Sequence, residues 1–307
     1  MIKTLFHQIG AYKKDSILTP IYAAAEVIME ILIPFVTAAI IDEGIQAGNM
    51  QKVLQYGVIM IVLALLSLFF GIQAGRKAAS ASTGFACNLR ESMYRNIQTF
   101  SFSNIDKFST AGLVTRMTTD VTNMQNAYQM ILRIAVRAPM TLICSMVMCF
   151  IINVKLSLIF LVALCVLAAA LIYIMMHAMP VFQEVFSKYD DLNASVQENV
   201  TAIRVVKAFV REDFENQKFG KAAEVLCKLF VKAESIIVFN APIMMTVIFA
   251  SMLGLSWIGA QLIVAGDLTT GNLMSLFSYV LSIMMSLMML SCLLYTSPSP
   301  RDAHESR

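Results

Sequence analysis

Glu26 and Glu30 stand four residues apart in an apolar stretch, and Arg133 and Arg137 repeat that spacing in another. Four residues is about one helical turn, so each pair shares a face of its helix. At bilayer depth an unpaired ionised side chain costs about 2.5–3.5 kcal/mol on insertion scales, so both carboxylates must face a helix bundle or a wet cavity. There they would attract cationic amphipathic compounds, with Met29, Phe35, Met244, Phe249 and Met284 offering adaptable apolar contact. For Arg133 and Arg137 an ion pair or a lipid headgroup is favoured over substrate, and Asn240, ahead of Pro242, offers an amide toward the interior. No residues are assigned catalytic roles. Three histidines without ligand spacing give no metal site, and six cysteines without a C-x-x-C pair read as small buried apolar side chains.

These residues need elements that hold them in lipid. Hydrophobic residues make up 58% of the chain and charged residues 14%, a balance that points to a bilayer rather than water. Six apolar stretches reach spanning length, and we place the spans at about 17–41, 53–80, 130–152, 156–178, 236–265 and 270–291. The first is too long, and lacks the small-residue site, for a cleaved signal peptide. The connections after the first, third and fifth spans hold only Lys52 and Lys155, whereas Lys3, Lys13, Lys14, Arg76, Lys77, Arg90, Arg95 and the 188–232 stretch crowd the other side. Both termini are therefore predicted to be cytoplasmic. The net charge of +3 follows from that topology and implies no nucleic acid.

The two internal connections are long and helix-like. Residues 75–100 hold no proline, so Val53–Phe100 reads as one helix of roughly 70 Å against a hydrocarbon core of about 30 Å. Val185, Tyr189, Leu192, Val196, Val200, Ile203 and Val206 recur at steps of three and four, a stripe expected to be buried against neighbouring helices. Pro180 should only kink that helix, as Pro34 should the first span, and Trp257 should pack or anchor. The helix pairs then project from the membrane as rigid levers, joined at tips near 101–111 and 207–219.

The segments IPFVTAAIIDEGIQAGN (33–49), FSNIDKFSTAGLVTRMTTDVTNMQ (102–125), VRAPM (136–140), ENVTAIRVVKAFVREDFENQKF (198–219) and GDLTTGNLMSLFSYVLSIMMSLMMLS (266–291) resemble, in order and spacing, the transmembrane domain of ABC exporters. The likeness covers nearly all of residues 1–291 and is greatest to subunits of bacterial heterodimeric multidrug exporters. It implies an all-α membrane protein with the six-helix type 1 ABC exporter fold, an interfacial elbow helix at 1–12, and coupling helices at the two tips. In the first tip it points to Asp106, Lys107 and Phe108, and in the second to Arg204, Lys207, Phe209, Arg211 and Phe214. These would dock into nucleotide-binding domains in cis and in trans.

The resemblance further implies a bacterial inner or plasma membrane, a second half-transporter subunit with a heterodimer favoured, and alternating access that exports multidrug or amphipathic compounds. ATP and magnesium would belong to a nucleotide-binding domain. This sequence contains no G-x-x-x-x-G-K-[ST], so the chain itself is not expected to be an enzyme, whereas an intact parent would be an ATP-hydrolysing translocase. Residues 292–307, beginning CLLYTSPSPRD, back-translate to a string resembling a sequencing adapter and read as a non-native tail on a truncated gene. The competing readings are an ion-coupled secondary carrier, opposed by the long extensions and the absence of paired interrupted helices, and a scaffold that transports nothing.

Overall fold

In a computed structural model, residues 8–101 and 110–296 are described, with backbone alone at 111 and 291–296. The elements are α1 (Lys13–Ala39), α2 (Met50–Gln98), α3 (Thr110–Thr115), α4 (Val121–Ile152), α5 (Val154–Thr201), α6 (Ile203–Ala208), α7 (Glu212–Val238), α8 (Asn240–Ala265) and α9 (Thr270–Thr296). Six helical stretches among the described residues are long and apolar enough to span a bilayer. Two compact units divide the chain, Met1–Leu158 with Met252–Arg307, and Ile159–Ser251.

In the first unit α1 lies on α2 and α4, and α9 lies on α4 and α1. Small side chains make the α1–α2 seam: Ala74, Ala78, Ala81 and Ser82 are fully buried and let the backbones approach, as membrane helices without a hydrophobic driving force require. The α1–α2 and α4–α5 turns are short and closed by asparagine. Asn49 Oδ1 accepts the amides of Gln51 and Lys52, and Asn153 Oδ1 those of Lys155 and Leu156, so one extended residue separates α4 from α5. The α1 helix runs through both Pro20 and Pro34 and ends in a π-turn, Ile40–Ile45.

The α2 helix is one unbroken rod of 49 residues, roughly 70 Å at about 1.5 Å per residue. No residue of its most apolar 18-residue window is buried, an exposed apolar face of the kind that meets lipid or another protein. Its C-terminal part is tied down. Lys77 Nζ and Ser80 Oγ donate to Asp15 at 2.9 and 2.7 Å, Asn88 Nδ2 donates to the Gln8 carbonyl at 2.8 Å, and the Tyr12 ring fills the space that Gly84 leaves without a Cβ. Arg90 Nε donates to the Met117 carbonyl at 3.3 Å, and its Nη2 to Thr122 Oγ1 at 3.1 Å. Met117 lies in a π-turn, Arg116–Asp120, where the Val121 amide bonds the Arg116 carbonyl instead of the one an α-helix would offer it. The first lever is therefore cross-braced. Of the expected elbow helix, residues 1–7 lie outside the described residues; Gly10, at φ +50, opens the 3₁₀ turn Gly10–Tyr12 that leads into α1.

The second unit differs from expectation. The α5 helix continues through Pro180, and Val185 is buried against Leu226 and Ala233, with Val181, Phe182, Leu192 and Leu229 around them. Further along, Tyr189, Val196, Val200 and Ile203 are exposed, so the stripe is buried only along the part that α7 covers. Beyond it the helices part around a groove of about 210 Å³ lined by Val196, Val200, Ile203, Val206 and Phe219, which the Asn199–Glu215 hydrogen bond crosses at 3.0 Å. Within the fifth span, expected from Ile236, the helix is interrupted at Phe239 between α7 and α8, because Pro242 has no N–H for the Val238 carbonyl. In the first unit, Trp257 is 72% exposed and does not pack within this chain.

Candidate functional site

The site forms where α1, α2 and α4 meet. Glu26 and Glu30 project from one face of α1, and Arg137 of α4 reaches both: Nη1 to Glu26 Oε1 at 2.6 Å and Nη2 to Glu30 Oε2 at 2.9 Å. One guanidinium is thus split between two carboxylates one turn apart, and the formal charge of the three groups is −1. Glu26 is only 8% exposed, whereas the Glu30 side chain is half exposed. On α2, Gly71 faces Glu26: a Cβ there would lie 3.0 Å from Glu26 Oε1, so the missing side chain makes room for the carboxylate.

Glu26 Oε2 is buried and has no hydrogen-bond partner among the described residues. An unsatisfied oxygen of a charged group in a low-dielectric setting is costly, and such an exception calls for a physical explanation. Half exposure of Glu30 at mid-span means that this carboxylate faces water or protein rather than lipid. The arrangement can bind a cation by pairing and can redistribute the bonds of Arg137.

Above the triad, α1 is sewn to α9. Tyr279 Oη donates to the Ile31 carbonyl at 3.0 Å, Ser275 Oγ donates to the Pro34 carbonyl, and the Gly271 amide donates to Asp42 Oδ1 at 2.8 Å. Gln46 and Thr270 side chains bond beside them. Gly271, Ser275 and Tyr279 are spaced by four residues. Reading the residues by charge missed this seam, although a small-polar stripe at helical spacing on an apolar helix was there to be seen.

Among the predicted charged residues of the first unit, Arg133 does not join the triad. Arg133, one turn before Arg137, is exposed and makes no salt bridge among the described residues, so only Arg137 takes the ion-pair role. Asn240 belongs to the second unit, half-buried at the start of α8. Of the methionine and phenylalanine set, Met284 is buried and Phe35 exposed in the first unit, and Met244 is buried and Phe249 exposed in the second. Asp106, Lys107 and Phe108 lie outside the described residues.

The second tip is described in full. Arg204 and Lys207 are exposed on α6, Phe209 is 74% exposed, and Arg211 sits 5.1 Å over the ring of Phe214. Val210 has φ +49, and the bonds from its amide to the Lys207 carbonyl and from the Arg211 amide to the Val206 carbonyl make a Schellman turn. Glycine usually fills that position, so a valine there, 83% exposed, is a strained apolar projection. Among the described residues no three His, Cys, Asp or Glu side chains converge as metal ligands.

Comparison with known proteins places residues 17–287 in the family described as the ABC transporter transmembrane region. The chain is 32% identical over 254 residues to YfiB of Bacillus subtilis, an uncharacterized ABC transporter ATP-binding protein, covering 83% of this chain and 44% of that one. It is 28% identical over 298 residues to an uncharacterized ABC transporter ATP-binding protein of Mycobacterium tuberculosis, covering 97% and 51%. A Rickettsia typhi protein, provisionally named an export ATP-binding/permease protein, is 25% identical over 276 residues, covering 88% and 47%. The chain thus spans about half the length of these relatives.

Proposed function

From the premise that this chain belongs to the ABC transporter transmembrane family, we propose that it lines the translocation pathway of an ATP-driven exporter of lipophilic cations. The observation that carries the substrate class is the triad: two mid-span carboxylates against one guanidinium leave an excess negative charge, half-exposed at Glu30. In this reading the tip at Phe209, Val210 and Phe214 docks on a nucleotide-binding domain, the first tip on another, and a second half-transporter, favoured as a distinct subunit, completes the pathway. The membrane is a bacterial inner or plasma membrane with both termini cytoplasmic.

The sequence has no glycine-rich phosphate loop, so in this reading ATP and magnesium belong to the nucleotide-binding domain. The test is reconstitution of a full-length protein, in which this region is joined to such a domain, into proteoliposomes. ATP-dependent accumulation of tetraphenylphosphonium supports the reading. Accumulation that follows an ion gradient without ATP would assign a secondary carrier, and none under either condition a non-transporting scaffold.

A further inference from the structure

We propose that the triad is an exchange site: a lipophilic monocation that pairs with Glu30 releases one arm of Arg137, which moves to the unpartnered oxygen of Glu26. The inference rests on the cation-export reading and deepens it by specifying how the site accepts charge.

Exposure sets the order of contact. Glu30 is half exposed and Glu26 nearly sealed, so an incoming cation meets Glu30 first. It there competes with Arg137 Nη2, whose bond is the longer of the two at 2.9 Å. A guanidinium that loses this partner keeps its Nη1 bond to Glu26 Oε1, and the other oxygen of that same carboxylate, Oε2, is buried and unpartnered. Arginine and carboxylate favour two parallel bonds, so the released arm has a stronger arrangement within reach of a side-chain rotation. The orphan oxygen is then explained as a berth that is filled when substrate is present.

Charge then selects the occupant. With one cation bound, two carboxylates face two positive groups and the site is neutral, whereas an anion would add to an existing excess in a low-dielectric setting. A dication would leave an excess of +1. Monocations are therefore selected over both. Gly71 leaves Glu26 the space to be held end-on, and any side chain at that position crowds the carboxylate the exchange depends on.

The probe is tetraphenylphosphonium, with the similarly shaped anion tetraphenylborate as control, binding to this chain in lipid nanodiscs after subtraction of empty discs. Saturable phosphonium binding is expected, weakened at least tenfold by Glu30→Gln and also by Glu26→Gln, since without the Glu26 carboxylate Arg137 stays on Glu30. Tetraphenylborate retention should be the same in all three. Loss in Glu30→Gln with unchanged affinity in Glu26→Gln would overturn the exchange, leaving a plain contact; unchanged affinity in both, or no saturable binding to the wild type, would overturn the site. Should Glu26→Gln fail to fold, the wild-type chain labelled with ¹⁵N-arginine carries the test. Its Arg137 guanidinium signals, identified by their loss in Arg137→Lys, are expected to shift on phosphonium addition, and signals unmoved at saturation would refute the exchange. Intact phosphonium binding without ATP-driven export by the full-length protein would sink the exporter reading and leave this site standing.

Discussion

Replacing Gly271 by Ala tests the seam between α1 and α9 at the start of α9. A Cβ there would fall well inside van der Waals contact of the Ala38 carbonyl oxygen and 2.6 Å from Asp42 Oδ2. The Ala38 carbonyl is α1 backbone and cannot rotate away, so the helices must separate. Separation removes the Gly271–Asp42 hydrogen bond, worth about 1.5–3 kcal/mol when one partner is charged, and residual overpacking adds about 1–3 kcal/mol. Because Asp42 is only half-buried, we take the lower parts of both ranges, roughly 2.5–4 kcal/mol in all. Asp42→Asn keeps an acceptor and loses only the favourable charge at the start of α9, about 0.3–1 kcal/mol. At roughly 2–4 °C per kcal/mol, the unfolding midpoint should fall by about 5–16 °C for Gly271→Ala and about 1–4 °C for Asp42→Asn. Cys149, fully buried on α4, is a suitable reporter: with the other cysteines replaced by serine, a thiol-reactive dye in detergent sees it only on unfolding. A Gly271→Ala midpoint within 1 °C of wild type, or a larger loss in Asp42→Asn, refutes the argument.

Four further outcomes are expected. Arg90→Gln removes both bonds that tie α2 to the Arg116–Asp120 turn, so spin labels at exposed positions 94 and 114 should give a broader distance distribution; an unchanged distribution would show that the brace carries no rigidity. Val210→Gly relieves a left-handed conformation costing about 1–2 kcal/mol and adds about 0.5–1 kcal/mol of backbone entropy cost. The chain should gain roughly 0.5–1 kcal/mol in thermal unfolding, and a lowered midpoint contradicts the strain. In the full-length protein, Phe209→Ala or Phe214→Ala should abolish substrate-stimulated ATP hydrolysis while phosphonium affinity stays within a few-fold, because truncating an interface anchor costs about 2 kcal/mol or more; weakened affinity with intact stimulation would remove the tip from the coupling role. Cysteines at 211 and 155 should label from the cytoplasmic and external sides respectively, and external labelling at 211 rejects the topology.

The spans were legible because twenty-residue apolar runs have one outcome in a bilayer, and the rod from Met50 to Gln98 because nothing in it breaks a helix. The break at Phe239 was in principle legible from Pro242, yet hydropathy runs smoothly across it. The stripe from Val185 to Val206 misled for another reason: periodicity says which face is apolar and not what covers it, and α7 covers only the first half. At the site, equal four-residue spacing made Arg133 and Arg137 equivalent in sequence. Only the rotation of α4 about its axis decides that Arg137 meets the carboxylates, and that rotation is fixed by packing against α1 and α9, spread over many residues. The bonds to the Ile31 and Pro34 carbonyls were hidden for the same reason, since backbone acceptors leave no trace in residue type.

Two kinds of bond meet on α1, and their chemistry gives them different sensitivities. Its C-terminal half is held to α9 mainly by bonds that end on neutral backbone carbonyls, where a charged ligand has no ion pair to compete for. Its middle is held to α4 by charge pairs, and a charged ligand competes with those directly. Pro34 marks the boundary: having no N–H, it leaves the carbonyl of Glu30 without its helical donor, one turn from the triad. In the proposed exchange, a change of pairing at Glu30 acts beside that missing bond, in a helix whose next turns are fixed to α9. The response to a bound cation is then expected in the angle between the α1 segment held by α4 and the segment held by α9.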